Sequence, residues 1–136
     1  MASKFLLEIV TPDRVFFEEE VEMVIVRTNE GDQGILRDHM KMVSEVAVGR
    51  IKIKKEGQIS EAAIAGGFIK VDLDKTTILT DAAEWPDEID PKRAMAAKQR
   101  AEERLKNRRD GINVYRAEVA LNKALNRIQV YESFKR

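Results

Sequence analysis

Hydrophobic positions along the chain change their period once. Over the first 80 or so residues they fall in short runs broken by polar turns. Val21, Met23 and Ile25 alternate with other residues at period two, as one face of a half-buried strand does. Strands are predicted over residues 4–10, 14–17, 21–28, 43–53, 59–65, 68–73 and 77–80. Thr11-Pro12-Asp13 turns after the first, and the acidic run Glu18-Glu19-Glu20 stops the second. Residues 29–34, with two glycines, form a turn, Lys54–Gln58 closes a hairpin and Asp74-Lys75-Thr76 turns into the last strand. No strand alternates with a helix, so the pattern predicts an all-β sandwich or barrel.

After Asp90 the apolar residues recur every three or four positions. Ala94, Ala97, Ala101 and Leu105 mark one stripe; Ala117, Ala120, Leu121, Ala124 and Ile128 mark another. The spacing predicts helices over 91–109 and 113–134, with Asp110-Gly111 as the stop between them. So short a connection makes them an antiparallel hairpin. Asp90-Pro91 is a strong start signal, because an N-cap carboxylate accepts from a first-turn N–H and proline lacks only a donor that would go unused. Pro86 and Pro91 bracket a link that neither strand nor helix continues through. The whole is therefore α+β: an antiparallel β-sandwich over 1–86, then a two-helix hairpin over 87–136.

The seam of that hairpin is mostly alanine. Alanine lets helices approach closely but buries little area, so the hydrophobic term, about 25 cal/mol per Å2, is small. Each helix has high intrinsic propensity and persists undocked. The hairpin is either built to change arrangement or a weakly packed appendage, and periodicity does not choose between them.

Two local features stand out in the first module. Gly66-Gly67 lies inside an apolar run, but it opens no helix and no lysine follows at the spacing of a phosphate loop, so it reads as a bulge or a close sheet contact. The segment 31–43 carries Ile35, Leu36, Met40 and Met42 among charges. Those side chains either bind a partner or fold back over an open end of the sandwich. His39 is the only histidine, which rules out a multi-histidine metal site.

The chain has 136 residues, 43% hydrophobic and 35% charged, without cysteine. The absence of cysteine excludes disulfides and thiolate zinc sites and fits a reducing compartment. No apolar run reaches the roughly 20 residues that span a bilayer, and the first residues lack a signal-peptide core. A net charge of zero conceals a polarity: residues 1–88 carry 11 Lys/Arg and 18 Asp/Glu, a net −7, while 89–136 carry 13 and 6, a net +7. The helices therefore either meet an acidic partner or carry ordinary solvated cations.

Asp90 and Arg93 stand three apart in the first turn of the first helix. Arg100 and Arg104 follow along it, and Lys123 and Arg127 lie on the second. In a closed pair these side chains either converge as a phosphate cradle or serve as a cap and plain surface cations. No catalytic cysteine, Gly-x-Ser-x-Gly or paired metal motif is present, so no enzyme class is supported. The alternative is a nucleic-acid module gripping phosphates with its basic hairpin. The acidic sandwich and the few helix aromatics (Tyr115, Tyr131, Phe134) speak against it.

Six segments in collinear order resemble the epsilon subunit of the F-type ATP synthase. They are Val10-Thr11-Pro12-Asp13, Val21-Glu22-Met23-Val24, Gly31-Asp32-Gln33-Gly34-Ile35-Leu36 with His39, Gly66-Gly67-Phe68-Ile69-Lys70-Val71, Thr77-Ile78-Leu79-Thr80-Asp81-Ala82-Ala83-Glu84, and Ile89-Asp90-Pro91-Lys92-Arg93-Ala94. The resemblance implies a sandwich of about ten strands that binds the gamma subunit and touches the c-ring, followed by the helical hairpin. It implies a non-catalytic central-stalk subunit, peripheral on the cytoplasmic face of the cell membrane, that requires no cofactor or metal and binds no nucleic acid. Contact with gamma and the c-ring is implied for Gly31, Ile35, Leu36, His39, Met40 and Met42, although Arg37, Asp38, Met40 and Lys41 depart from the family's pattern there.

The same resemblance implies that the extended hairpin enters the alpha/beta hexamer and blocks hydrolysis, its cations facing the acidic carboxyl-terminal region of beta. In some Bacillus-type members the folded hairpin binds ATP, as a regulatory ligand, through an Ile-Asp-x-x-Arg-Ala motif. Ile89, Asp90, Arg93 and Ala94 match it, and Glu84, Arg100, Arg116 and Arg127 match further nucleotide positions. Lys123 replaces an arginine, keeping the charge without the bidentate fork.

Overall fold

A computed structural model describes residues 3–107 and 111–135. The chain divides into two compact units, one running to Glu84 and the other starting at Trp85. The first is the expected β-sandwich, made of β1 (Phe5–Val10), β2 (Val15–Val21), β3 (Met23–Thr28), β4 (Gly31–Ile35), β5 (Met42–Lys55), β6 (Gln58–Val71), β7 (Lys75–Thr80) and β8 (Ala83–Glu84). Hydrogen bonding follows the order β2-β1-β7-β6-β5-β3-β4, with β8 on β6.

The architecture turns on the β5–β6 hairpin. Residues 42–46 pair with 67–71, and residues 48–55 pair with 58–65. The first halves of this ladder belong to a layer with β7, β1 and β2; the second belong to a layer with β3, β4 and β8. Each long strand thus serves both layers, so about ten strand segments are eight continuous strands. The bend lies at Gly66 and Gly67, whose φ values of +87° and +137° suit glycine alone. A side chain on Gly67 would overlap the carbonyl oxygen of Leu79 and lie 2.9 Å from the Cα of Thr80. Pairing resumes in the same register beyond the bend, so no residue is inserted. Close sheet packing, not a bulge, explains the two glycines.

Leu7, Ile9, Val24, Val26, Ile51, Ile53, Ile64, Ile69 and Ile78 fill the space between the layers. Burial of each such side chain stabilises by about 1.5–3 kcal/mol. Several expected boundaries shift. The acidic run does not stop β2: Glu18, Glu19 and Glu20 pair with Glu8, Leu7 and Leu6. An edge strand keeps such side chains in water, and Glu19 is ion-paired to Lys55. In β3 the buried pair is Val24 and Val26, whereas Met23 and Ile25 are half-buried. The break at Glu22, between β2 and β3, changes the phase. The expected turn over 29–34 narrows to Asn29-Glu30, because Gly31–Ile35 pairs with β3. Likewise the β5–β6 turn is only Glu56-Gly57, both at positive φ (52° and 77°), as a two-residue hairpin requires.

The second unit opens with a single 3-10 turn, Pro86–Glu88, whose Glu88 carboxylate accepts from the Trp85 N–H at 2.9 Å. Helix α1 (Pro91–Asn107) and helix α2 (Gly111–Lys135) pack together as a hairpin. Asp90 Oδ1 accepts from the N–H groups of Lys92 and Arg93 at 3.0 and 3.3 Å, the N-cap its position demanded. Ala94, Ala101, Ala117 and Ala124 are buried along the seam, while Ala97, Leu105, Ala120, Leu121 and Ile128 are partly covered. Gly111 is the first residue of α2 and not a stop, and Asp110 lies outside the described residues.

Candidate docking surfaces and nucleotide site

The residues singled out between β4 and β5 separate into three environments. Ile35 is wholly buried in the sandwich and is a core residue. Gly31 sits at the opposite end of β4, next to Thr28, with nothing within 4 Å of where a side chain would start. The loop proper is Leu36–Lys41. Leu36 is 57% exposed and Met40 81%, so these apolar groups do not fold back over the sandwich. A short turn holds them out: the His39 N–H bonds the Leu36 carbonyl at 3.1 Å, and His39 Nδ1 bonds the Met40 carbonyl at 2.8 Å. Met42 opens β5, half-buried, with its Sδ 3.7 Å from Gln33 Nε2. Beside the loop an open cleft of roughly 520 Å3 is lined by Glu22, Met23, Leu36, Arg37, His39 and Lys54, among others.

At the Gly31 end Arg27 and Asp32 form an ion pair. Arg27 Nε lies 2.8 Å from Asp32 Oδ1. The hydrogen bond from Arg27 holds the Asp32 carboxyl below the usual carboxylate range, and the same bond raises Arg27.

On the hairpin a regular pattern emerges. Arg93 and Arg100 directly precede the buried Ala94 and Ala101; Arg116 and Lys123 directly precede the buried Ala117 and Ala124. A residue one step before each seam position is rotated by about 100° from it. Because the helices are antiparallel, an equal rotation from the seam carries both stripes to the same side of the pair. Arg104 and Arg127, four beyond Arg100 and Lys123, continue them. Arg93, Arg100 and Arg116 are exposed and Lys123 is half-buried. Arg127 is half-buried, with its Nε shielded from solvent.

The remaining motif residues have other local roles. Asp90 is the helix cap, Ala94 is in the seam and Ile89 is buried in the link. Glu84 belongs to β8 in the sandwich, paired with Ala63.

Residues 4–86 match the beta-sandwich domain of the ATP synthase delta/epsilon chain, and residues 87–132 match its long alpha-helix domain. The chain belongs to the ATP synthase delta/epsilon chain family. Among its relatives, the ATP synthase epsilon chain of Alkaliphilus metalliredigens is 62% identical over 128 residues, 94% of this chain and 96% of that one. The epsilon chain of Bacillus velezensis is 47% identical over 124 residues, 91% and 94% of the two chains. A chain in the Euglena gracilis mitochondrial ATP synthase (OSCP/F1/c-ring) shares the fold, with TM-score 0.82, 24% identity and coverage of 100% of this chain and 84% of that one. This is thus an epsilon-type chain, a non-catalytic central-stalk subunit of the F-type ATP synthase. No helix among the described residues is long and apolar enough to cross a membrane.

The epsilon-type sandwich also carries exposed apolar residues that the sequence pattern did not single out as contacts, Val15, Phe68 and Leu79 among them. Strand register is the signal that groups them, and register is not visible in the sequence alone.

Proposed function

We propose that the sandwich holds this subunit to gamma and, through the Leu36–Met42 segment, to the c-ring, while the hairpin is a movable, ATP-sensing brake on hydrolysis. The observation that carries the regulatory part is the basic stripe: a cation stands before each of four buried alanines, all on one side of the helix pair. Such a stripe suits polyphosphate, with arginine forks on phosphate oxygens. The alanine seam contributes little apolar area, so a ligand that binds only the closed pair has leverage. Ligand binding stabilises that state by RT ln(1 + [L]/Kd), about 2.7 kcal/mol at a hundredfold excess.

In this reading ATP is a regulatory ligand and is not hydrolysed by the chain. When ATP is scarce the helices part, extend into the alpha/beta hexamer and present their net +7 to the acidic carboxyl-terminal region of beta. The subunit sits peripherally at the cytoplasmic face of the membrane through its partners. The test has two arms. Titration of the purified protein with ATP by calorimetry should give saturable heat; none at millimolar nucleotide refutes the sensor. Removal of residues 87–136 should raise hydrolysis by the assembled complex at low ATP; an unchanged rate refutes the brake.

A further inference from the structure

The helix pair buries its large apolar side chains at one end. Along the seam the buried residues are Ala94, Ala101, Ala117 and Ala124. At the root, where α1 begins and α2 ends, they are Ile89 and Val130, 4% and 0% exposed. Leu105, Leu121 and Ile128 are only partly covered. Level along an antiparallel pair follows from distance to the connection. Ala94 and Ala124 each stand 15 residues from residue 109, and Ala101 and Ala117 each stand eight. By the same count Val130 is level with Glu88 in the 3-10 turn, and that turn packs against α2.

The turn is continuous with α1 in its hydrogen bonding. The Trp85 N–H donates to the Glu88 carboxylate at 2.9 Å, and the Glu88 N–H donates to the Trp85 carbonyl at 3.0 Å. The Ile89 N–H donates to the Pro86 carbonyl at 3.2 Å, after which Asp90 caps α1. Glu84 still belongs to β8, paired with Ala63, so the two compact units divide between Glu84 and Trp85. We infer that segment 85–89 is a clasp: it rides with α1 and holds the far end of α2 through Ile89 and Val130. The closed pair is thus fastened at its root more than along its alanine seam. A branched aliphatic side chain removes more apolar area from water than alanine, and its loss from a packed site leaves a cavity. The place also matters. Helix α2 swings about its connection to α1, and Val130 is about 30 Å along the helix from there at 1.5 Å per residue. The inference rests on the reading that the hairpin opens, and it adds where opening is resisted.

The test uses the full-length chain without partners. The protein has no cysteine, so Gln99→Cys and Asn122→Cys supply two unique labelling sites, both exposed and neither in the basic stripe. Pulsed electron resonance between nitroxides at these sites gives the ratio of long (open) to short (closed) distances. Without nucleotide, Ile89→Ala and Val130→Ala should each raise that ratio roughly tenfold. Circular dichroism checks that the helices persist. Val130→Thr, of similar shape but polar, should raise the ratio too. Leu105→Ala and Leu121→Ala, away from the root, should stay within about threefold, although each removes more atoms than Val130→Ala. The double variant of Ile89 and Val130 should fall at least threefold short of the hundredfold product of independent effects, because the two share one packing site. Root variants with an unchanged ratio, leucine variants that open the pair as far, or a full hundredfold in the double variant overturn the clasp. So does a lone short distance in the wild type and every variant. ATP added to the wild type separates the broader reading. A ratio that ATP fails to lower refutes the sensor and leaves the clasp standing; one that ATP lowers but the root variants do not change keeps the sensor and removes the clasp.

Discussion

The Asp90 carboxylate accepts the backbone N–H of Arg93 at 3.3 Å, so this motif pair meets through the main chain. Capping and ligand binding by Asp90 are therefore separable. Asp90→Asn keeps a good cap and should change helix stability by only a few tenths of a kcal/mol, whereas Asp90→Ala should cost about 1 kcal/mol. Circular dichroism through a thermal scan checks the cap. If Asp90 also serves ATP, both variants weaken nucleotide binding; if it is only a cap, Asp90→Asn binds as wild type.

Removing one stripe cation should be graded by its reach. Arg93→Ala should weaken ATP binding by roughly tenfold or more, the loss of one charge-assisted hydrogen bond. Lys123→Arg restores a fork on the same side of the helix pair and should tighten binding. Calorimetry of the two variants side by side tests whether the stripe acts as one site.

Gly67 tests the bend of the sandwich. With φ at +137° and the Leu79 carbonyl against it, Gly67→Ala meets both strain and overlap. A loss of about 2–5 kcal/mol is expected, read from the shift in urea midpoint. Gly31→Ala, strained at +114° but with open space around it, should cost only about 1 kcal/mol.

The Arg27–Asp32 pair predicts a small pH dependence. The Asp32 carboxyl is held low in the folded state, chiefly by the Arg27 hydrogen bond. Its contribution is therefore present above the unfolded carboxylate value, about 3.9, and is lost as pH falls through the lower folded value. Both side chains are about half exposed, 49% and 55%, so solvent screening limits the gain to roughly 0.2–1 kcal/mol. Asp32→Asn should lower the urea midpoint slightly at pH 7. As pH falls through the lowered folded value the two proteins should converge.

What the order of residues settled alone is local. Asp90-Pro91 specifies a helix start because a side-chain acceptor and a missing donor act within one turn. The seven-residue spacing of Ala94 with Ala101, and of Ala117 with Ala124, specifies a seam because helix geometry converts spacing directly into a face. The change from period two to helical spacing separated sandwich from hairpin. What tertiary structure decided depends on partners distant in the chain. Glu18–Glu20 are strand because β1 supplies the ladder at an exposed edge, and Ile35 is core because Val24 stands opposite it. The long hairpin bends at Gly66 and Gly67, both at positive φ, and at Gly67 the Leu79 carbonyl leaves no room for a side chain. The rung Val15-Val10-Leu79-Phe68 exists only once four strands have taken their register, since pairing, not adjacency in the sequence, places those side chains together.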